Sequence, residues 1–135
     1  MKIKIFALTH KKFEVPQDKM YQPLQVGREE KEDLGYLCDN TGDNISAENC
    51  YYSELTGLYW IWKNVHTYKY VGTCHYRRYL LNEQEKIFTE AEYLELLKDY
   101  DLITTKRVVL NNSYHYGFAT NHNIHALDMT GEVIK

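Results

Sequence analysis

The sequence predicts an α/β protein in which helices cover both faces of a parallel sheet, a three-layer arrangement. Three segments have the composition of strands, and they span residues 2–8, 69–75 and 101–105. Two helical segments, 47–64 and 90–99, lie between consecutive strands. Strands that alternate with helices in this order favour parallel pairing through crossover helices.

The first predicted strand shows alternation of polar and apolar side chains. Apolar side chains occupy every second position at Ile3, Ile5 and Ala7. A repeat of two residues is typical of a strand and not of a targeting segment. Residues 9–44 are predicted to be mostly irregular, since they hold both prolines and three glycines. A loop of this length in a compact domain is usually functional or mobile.

The helix predicted over 47–64 has the clearest pattern. Ser46 is the expected N-cap, and Ile45 and Cys50 are placed as a hydrophobic staple. One helical face is apolar and is therefore expected to face the core. It consists of Tyr51, Leu55, Leu58, Tyr59 and Trp62.

The second half of the chain contains one strong helix signal. Thr89 and Glu92 form a capping box that predicts the helix over 90–99. The segment 106–120 is polar and aromatic, and a helical pattern starts again near Asn121.

Composition limits the classes of function. The chain has 135 residues, which fits one domain. Its formal charge of −3 argues against a general nucleic-acid binder, since such a protein normally has a broad basic face. No apolar run reaches the roughly 20 residues that span a bilayer. The three cysteines have no CxxC spacing, and their odd number without a signal peptide favours reduced thiols in the cytoplasm. The 13 tyrosines suit contacts with sugars and bases, or fill core and surface.

The most informative motif lies at the end of the strand 69–75, where His75, Tyr76, Arg77 and Arg78 follow one another. In open α/β sheets, ligands bind outside the carboxyl ends of the strands. Arginine matches phosphate oxygens bidentately, so the motif predicts a phosphate-bearing ligand. The alternative is a structural network of salt bridges.

Three other features are weaker candidates. The turn Gly42–Ser46 precedes a helix whose N-terminus presents free N–H groups. Glu54 is expected to balance an arginine or, less favourably, to act as a base. His122 and His125 have helical spacing, but no further ligands complete a metal site. The sequence contains no P-loop, GxGxxG or GxSxG pattern, and Asp39 and Asp43 are too far apart for an Asp-x-Asp pair.

Five segments together resemble a bacterial family of unknown-function domains found in capsular and exopolysaccharide glycosyltransferases. The segments are Tyr21–Gly27, Gly42–Ser46, Glu54–Asn64, Tyr70–Gly72 and His75–Tyr79. The resemblance implies a GT-A-like enzyme with a Rossmann-like half that holds a nucleotide diphosphate. It also implies that residues 1–135 are a single nucleotide-sugar-binding domain, truncated at its C-terminus, because family members are longer.

The resemblance assigns roles to particular residues. It puts the arginine motif where metal-dependent relatives carry Asp-x-Asp, so that the guanidinium groups neutralise the diphosphate and a divalent metal is not indicated. The catalytic candidates are His75, Arg77, Arg78 and His122. The candidates for binding the nucleotide follow from their positions at strand ends and in the turn before the predicted helix, and they are Thr9, His10, Asp43, Asn44 and Tyr76. The alternative for Asp43 is that it only fixes the turn.

The predicted function is transfer of a hexose, with galactose favoured, from a UDP-sugar to a glycan or lipid-linked glycan acceptor. The expected location is the cytoplasm, with peripheral contact at the inner face of the membrane left open. Two alternatives remain. One is a non-catalytic nucleotide- or sugar-binding module, and the other is a nucleotide hydrolase or nuclease, against which the lack of a carboxylate cluster argues.

Overall fold

The computed structural model describes residues 1–134 and contains a four-stranded, fully parallel sheet. Its strands are β1 (Ile3–Thr9), β2 (Tyr21–Gln25), β3 (Leu37–Cys38) and β4 (Tyr70–His75). They lie in the order β3-β2-β1-β4. The predicted parallel sheet is confirmed, as are its strands at 2–8 and 69–75.

Helices and short 3₁₀ turns connect and follow these strands. The helices are α1 (Asn49–Tyr52), α2 (Leu55–Asn64), α3 (Glu90–Leu96), α4 (Tyr114–Asn121) and α5 (Ile124–Val133). The 3₁₀ turns are Arg28–Glu30 and Ser46–Glu48. The helix expected from about residue 121 corresponds to α5, whereas α4 lies in a segment for which no helix was predicted.

Apolar side chains pack on both faces of the sheet, as a three-layer arrangement requires. On one face, Trp60 and Ile61 of α2 pack with alternate residues of β1 and with the end of β2. On the other face, Tyr93 of α3 packs with Ile3 and Ile5. Successive side chains of a strand point to opposite faces, so β1 contributes to both layers.

The prediction of a mostly irregular segment over 9–44 is wrong where β2 and β3 form. Pro23 lies within β2, although proline cannot donate to a sheet ladder. The backbone groups of Met20 and Val26, at even-numbered positions, form hydrogen bonds to β1. Because successive residues of a strand bond to opposite sides, the nitrogen of Pro23 faces β3. The strand β3 begins only opposite Leu24, so Pro23 has no strand partner on that side. Its missing N–H therefore removes no hydrogen bond of the sheet.

The helix predicted over 47–64 is interrupted. Ser53 adopts a positive φ of 51°, which separates α1 from α2. The buried side of α2 is also not the apolar stripe, because Trp60 is 7% exposed while Trp62 is 66% exposed. Gly57 faces Leu8 and Val26 so closely that an added Cβ would lie 2.6 Å from a side-chain carbon of Val26, and this contact turns the stripe outward.

The expected cap of that helix is also wrong. Ser46 is buried, and its hydroxyl donates to the carboxylate of Asp39 at 2.6 Å instead of capping a helix. Cys50 is exposed, so it forms no staple with a buried partner. Ile45 instead contributes to an apolar surface groove with four residues of α2.

The capping box of α3 is confirmed, since Thr89 and Glu92 exchange both hydrogen bonds. The helix ends at Leu96, earlier than the predicted residue 99. The strand predicted over 101–105 is wrong, as this segment pairs with no strand of the described part of the chain. Only Ile103 of this segment packs against the core, and Leu102 is largely exposed.

Contacts along the chain divide it into two compact units, one over Met1–Ile103 and a second that begins at Thr104. The first unit contains the sheet with α1 to α3, and the second contains α4 and α5. None of the helices in the described residues is long and apolar enough to cross a membrane.

Candidate functional site

The carboxyl ends of β1 and β4 lie side by side. Leu8 is opposite His75 in the parallel register, and the backbone N–H of Tyr76 donates to the carbonyl of Leu8 at 3.1 Å. Consequently His10 and Tyr76, which follow the two strands, meet with their ring centres 5.6 Å apart. The structure thus brings together predicted site residues that are far apart in the sequence.

The two arginines lie on a tight turn directly after β4. The carbonyl of His75 accepts from the N–H of Arg78 at 2.9 Å, which closes the turn. Both arginine side chains are exposed, and the Arg77 guanidinium lies 5.2 Å from the ring centre of Tyr76. Among residues 1–134, neither guanidinium lies within ion-pair distance of a carboxylate. The salt-bridge network considered as an alternative therefore does not include the two arginines in this part of the chain.

His75 has a partner at each ring nitrogen. Its Nδ1 accepts from the backbone N–H of Arg77 at 3.1 Å, and its Nε2 lies 3.3 Å from Oε1 of Glu54. Glu54 immediately precedes α2, whose first turn packs over the same edge of the sheet. The expectation that Glu54 balances an arginine is therefore wrong, since its ion-pair partner among the described residues is His75.

Aromatic side chains that the sequence reasoning missed form one wall of the site. Phe13 contacts Tyr76 with ring centres 5.7 Å apart and Tyr36 at 5.8 Å. The hydroxyl of Tyr36 lies 3.3 Å from both the N–H and the carbonyl of Phe13. Both residues lie in the segment 9–44, where the unrecognised strand β2 separates them. Recognition of β2 would have put both beside the carboxyl edge.

Several cationic side chains lie near His10 although the whole chain carries a net negative charge. Partial desolvation lowers the pKa of His10, and the charges of Lys11 and Lys31 lower the pKa further, followed by His75 and Arg77. Each of these neighbours disfavours a further positive charge on the imidazole. The same field favours an anion at this edge.

Thr9 lies at the carboxyl edge of the sheet, but its hydroxyl already forms hydrogen bonds with the backbone. The residue is buried at the end of β1. Its Oγ1 lies 2.6 Å from the carbonyl and 3.0 Å from the N–H of Lys11. This local turn explains Thr9 without a ligand.

Asp43 and Asn44 lie away from the arginine turn. The Asp43 carboxylate accepts from the hydroxyl of Tyr59 at 3.0 Å, and Nζ of Lys63 lies 3.9 Å away. Asn44 closes its own turn through the N–H of Ser46 and the carbonyl of Gly42. Lys63 is nine residues beyond Glu54 along α2, which corresponds to about 14 Å. The structure therefore does not bring these two residues to the strand ends.

His122 belongs to the second unit. It ends α4, and its ring stacks against Phe118 with centres 4.9 Å apart. Within the described residues, no group of three or more His, Cys, Asp or Glu side chains is arranged to hold a metal ion.

A buried carboxylate, which sequence reasoning also missed, links the elements below the site. Asp39 directly follows β3 and is fully buried. It accepts from the N–H groups of Gly27 and Arg28, at 2.8 and 3.1 Å. It also accepts from the hydroxyls of Ser46 and Thr56, at 2.6 and 2.7 Å. These bonds join the ends of β2 and β3 to the first turn of α2.

The fold and the site define an α/β protein with an arginine-bearing turn at the carboxyl edge of a parallel sheet. The chain belongs to the family described as a domain of unknown function, DUF4422, whose model matches residues 4–135. The predicted resemblance to a family of unknown-function domains is thereby confirmed at that level.

One solved structure is similar to this chain, an apo structure of the bifunctional glycosyltransferase WbbM. The two share 42% sequence identity with a TM-score of 0.56. The match covers 59% of this chain but 14% of that chain, so the similarity concerns a small part of the larger protein. None of the curated proteins matches this chain.

Proposed function

We propose that this domain is the donor-binding part of a GT-A-like glycosyltransferase. It would transfer a hexose from a UDP-sugar to a glycan or lipid-linked glycan in capsular or exopolysaccharide biosynthesis. The observation that carries the proposal is the pair of exposed guanidinium groups, Arg77 and Arg78, at the carboxyl edge of the sheet, which have no carboxylate partner among residues 1–134. The similarity to part of a glycosyltransferase supports it.

The physical argument concerns charge. Two adjacent guanidinium groups with free N–H donors suit the oxygens of a diphosphate. In this proposal His10 and Tyr76 lie beside the nucleotide, because their rings border the turn. Lys11 and Lys31 add to the positive field.

The chemistry is a group transfer in which the bond between the anomeric carbon and the diphosphate oxygen breaks. A bond from that carbon to an acceptor hydroxyl oxygen forms, the hydroxyl proton is released, and UDP leaves. Arg77 and Arg78 stabilise the charge that develops on the leaving diphosphate.

The remaining assignments stay predictions. Asp43 and Asn44 as ribose or base ligands, Thr9 as a nucleotide ligand and His122 as a catalytic residue have no contact that supports the role. Galactose is the first donor sugar to test. The reaction is proposed to occur in the cytoplasm, with the acceptor at the inner face of the membrane.

A non-catalytic nucleotide-binding module is the second candidate. It is favoured by the small share, 14%, of the glycosyltransferase chain that the match covers. One sample separates the two functions: UDP binding by calorimetry and release of UDP from UDP-galactose with a glycan acceptor. Binding with turnover supports the transferase, and binding without turnover supports the module. The absence of UDP binding would contradict both.

Metal dependence is decided in the same assay. We expect turnover to continue after EDTA treatment, because the arginines neutralise the diphosphate. Complete loss of turnover that manganese restores would contradict this part of the proposal.

A further inference from the structure

The imidazole of His75 is engaged on both sides. A backbone N–H can only donate, so the Nδ1 atom facing Arg77 at 3.1 Å must be an unprotonated acceptor. The ring proton then lies on Nε2 and points to Oε1 of Glu54, 3.3 Å away. In this neutral tautomer neither nitrogen is free to reach a ligand.

The same residue also determines the backbone of the turn. Its carbonyl accepts from the N–H of Arg78 at 2.9 Å, while its ring accepts from the N–H of Arg77. Both arginine N–H groups are therefore bonded to His75. The ring itself is fixed from the other side by Glu54, and only 19% of its side chain is exposed.

We propose that His75 is a positioning residue, which holds the backbone of Arg77 and Arg78, and that Glu54 acts through it by fixing the ring. This inference rests on the proposed function, in which the two arginines bind the diphosphate. It replaces the prediction that His75 is a catalytic residue. Glu54 then neither touches the substrate nor serves as a base.

Two substitutions of His75 distinguish positioning from direct contact. An asparagine oxygen two residues before an N–H forms an Asx turn, so His75→Asn keeps the acceptor that Nδ1 supplies. The longer His75→Gln places its amide N–H near the position of Nε2 and leaves the Arg77 N–H without an acceptor. A positioning role predicts that the asparagine variant retains function, and direct contact through Nε2 predicts the reverse.

The first readout is the affinity for UDP, measured by calorimetry. We expect His75→Asn to stay within about twofold of the wild type. His75→Gln should lose about tenfold, which corresponds to the ~1.4 kcal/mol of a single hydrogen bond. Retained affinity in the glutamine variant together with loss in the asparagine variant would overturn the proposal.

Two substitutions of Glu54 form a second, independent pair of test variants. Glu54→Gln keeps an oxygen that accepts from Nε2 and should stay within about twofold, whereas Glu54→Leu removes it and should weaken UDP binding by about fivefold. Unchanged binding in the leucine variant would refute the role of Glu54. Equal losses in both variants would instead point to the charge of the carboxylate and also count against the proposal.

A ligand-free readout separates this inference from the proposed function. Exchange of the Arg77 amide hydrogen should be slow in the wild type and in His75→Asn, and fast in His75→Gln. The ¹⁵N spectrum of the ring should show an unprotonated Nδ1. If UDP does not bind at all, the proposed function fails while these spectra still decide the positioning role, and equal exchange in all three proteins would overturn it.

Discussion

Substitution of the buried Asp39 by asparagine tests how the carboxyl edge of the sheet is held together. The carboxylate accepts four hydrogen bonds, two from the N–H groups of Gly27 and Arg28 and two from the hydroxyls of Ser46 and Thr56. Asparagine has one acceptor oxygen and one amino group, so it keeps at most two of these bonds. One backbone N–H then faces the amino group in a buried site, and the hydroxyl beside it must turn to accept from that group instead of donating.

The cost follows from these lost bonds. A hydrogen bond to a charged group contributes about 1.5–3 kcal/mol, so the loss of two costs about 3–6 kcal/mol. A domain of this size has a total stability of about 5–15 kcal/mol. Asp39→Asn should therefore lose much of the stability of the unit that contains the sheet, and the first turn of α2 should lose its link to β3.

The assay is urea unfolding at neutral pH, followed by circular dichroism and tryptophan fluorescence. Asp99→Asn is the matched control, because Asp99 is exposed and its side chain makes no hydrogen bond or ion pair with the described residues. Thr56→Val retains the side-chain volume and removes one donor, so it should cost about 1.5–3 kcal/mol. A loss below about 1 kcal/mol in Asp39→Asn would refute the reasoning, since measured hydrogen bonds to charged groups exceed that value.

The remaining predictions concern α2, a helix glycine and acid stability. Trp60→Ala should cost about 3–5 kcal/mol in urea unfolding, whereas Trp62→Ala should cost less than about 1, because only the first is buried. Gly57→Ala should cost about 1–2 kcal/mol, since the added carbon would lie 2.6 Å from Val26. The matched Gly131→Ala, with open space around it, should be neutral or stabilising by up to ~1 kcal/mol. Hydrogen bonds from the N-cap backbone lower the pKa of Glu92, so its contribution is present above the unfolded value near ~4.3 and is lost as the pH falls through the folded value.

Each of these has a contrary outcome. Equal losses for Trp60→Ala and Trp62→Ala would mean that the apolar stripe of α2 is buried after all. A stabilised Gly57→Ala variant would show that this helix does not approach β1 closely. The thermal midpoint should fall less between about pH 7 and pH 3.5 in Glu92→Gln than in the wild type, and identical falls would show that the capping box does not contribute.

Local signals in the sequence were sufficient to predict the elements that are stabilised by residues close to one another in the sequence. The alternation of Ile3 and Ile5 and the capping box of Thr89 and Glu92 depend on neighbours within a few residues, and both are present in the structure. The strand β2 was not predicted, because it contains Pro23 and proline usually interrupts strands. Its tolerance depends on where β3 begins, which is a long-range property.

The orientation of α2 shows the limit of periodicity. An apolar stripe and a small-residue face can both lie against a sheet, and the sequence pattern favours the larger hydrophobic surface. Here Gly57 and Trp60 lie inward because they fit against Leu8 and Phe6, while Leu58 and Trp62 stay at the surface. Such complementarity is decided by shape, which hydropathy does not record.

The candidate site was predictable where it is contiguous in the sequence. The run from His75 to Arg78 was recognised, and β1 delivers His10 to the same edge. Phe13 and Tyr36 were missed because they lie in the segments before and after β2, which was not recognised. Asp43 was proposed as a ligand because it precedes a helix, but the direction of α2 takes it away from the strand ends.

The central claim is that Arg77 and Arg78 bind the diphosphate of a nucleotide sugar. Calorimetric titration with UDP tests it most directly, on the wild type and on the two alanine variants. Each arginine variant should weaken binding by more than ~1.5 kcal/mol, the size of a charge-assisted hydrogen bond. Lys69→Ala is the control, because this exposed cation precedes β4 at the opposite end of the strand, and it should leave the affinity unchanged. Undiminished UDP binding in both arginine variants would contradict the account.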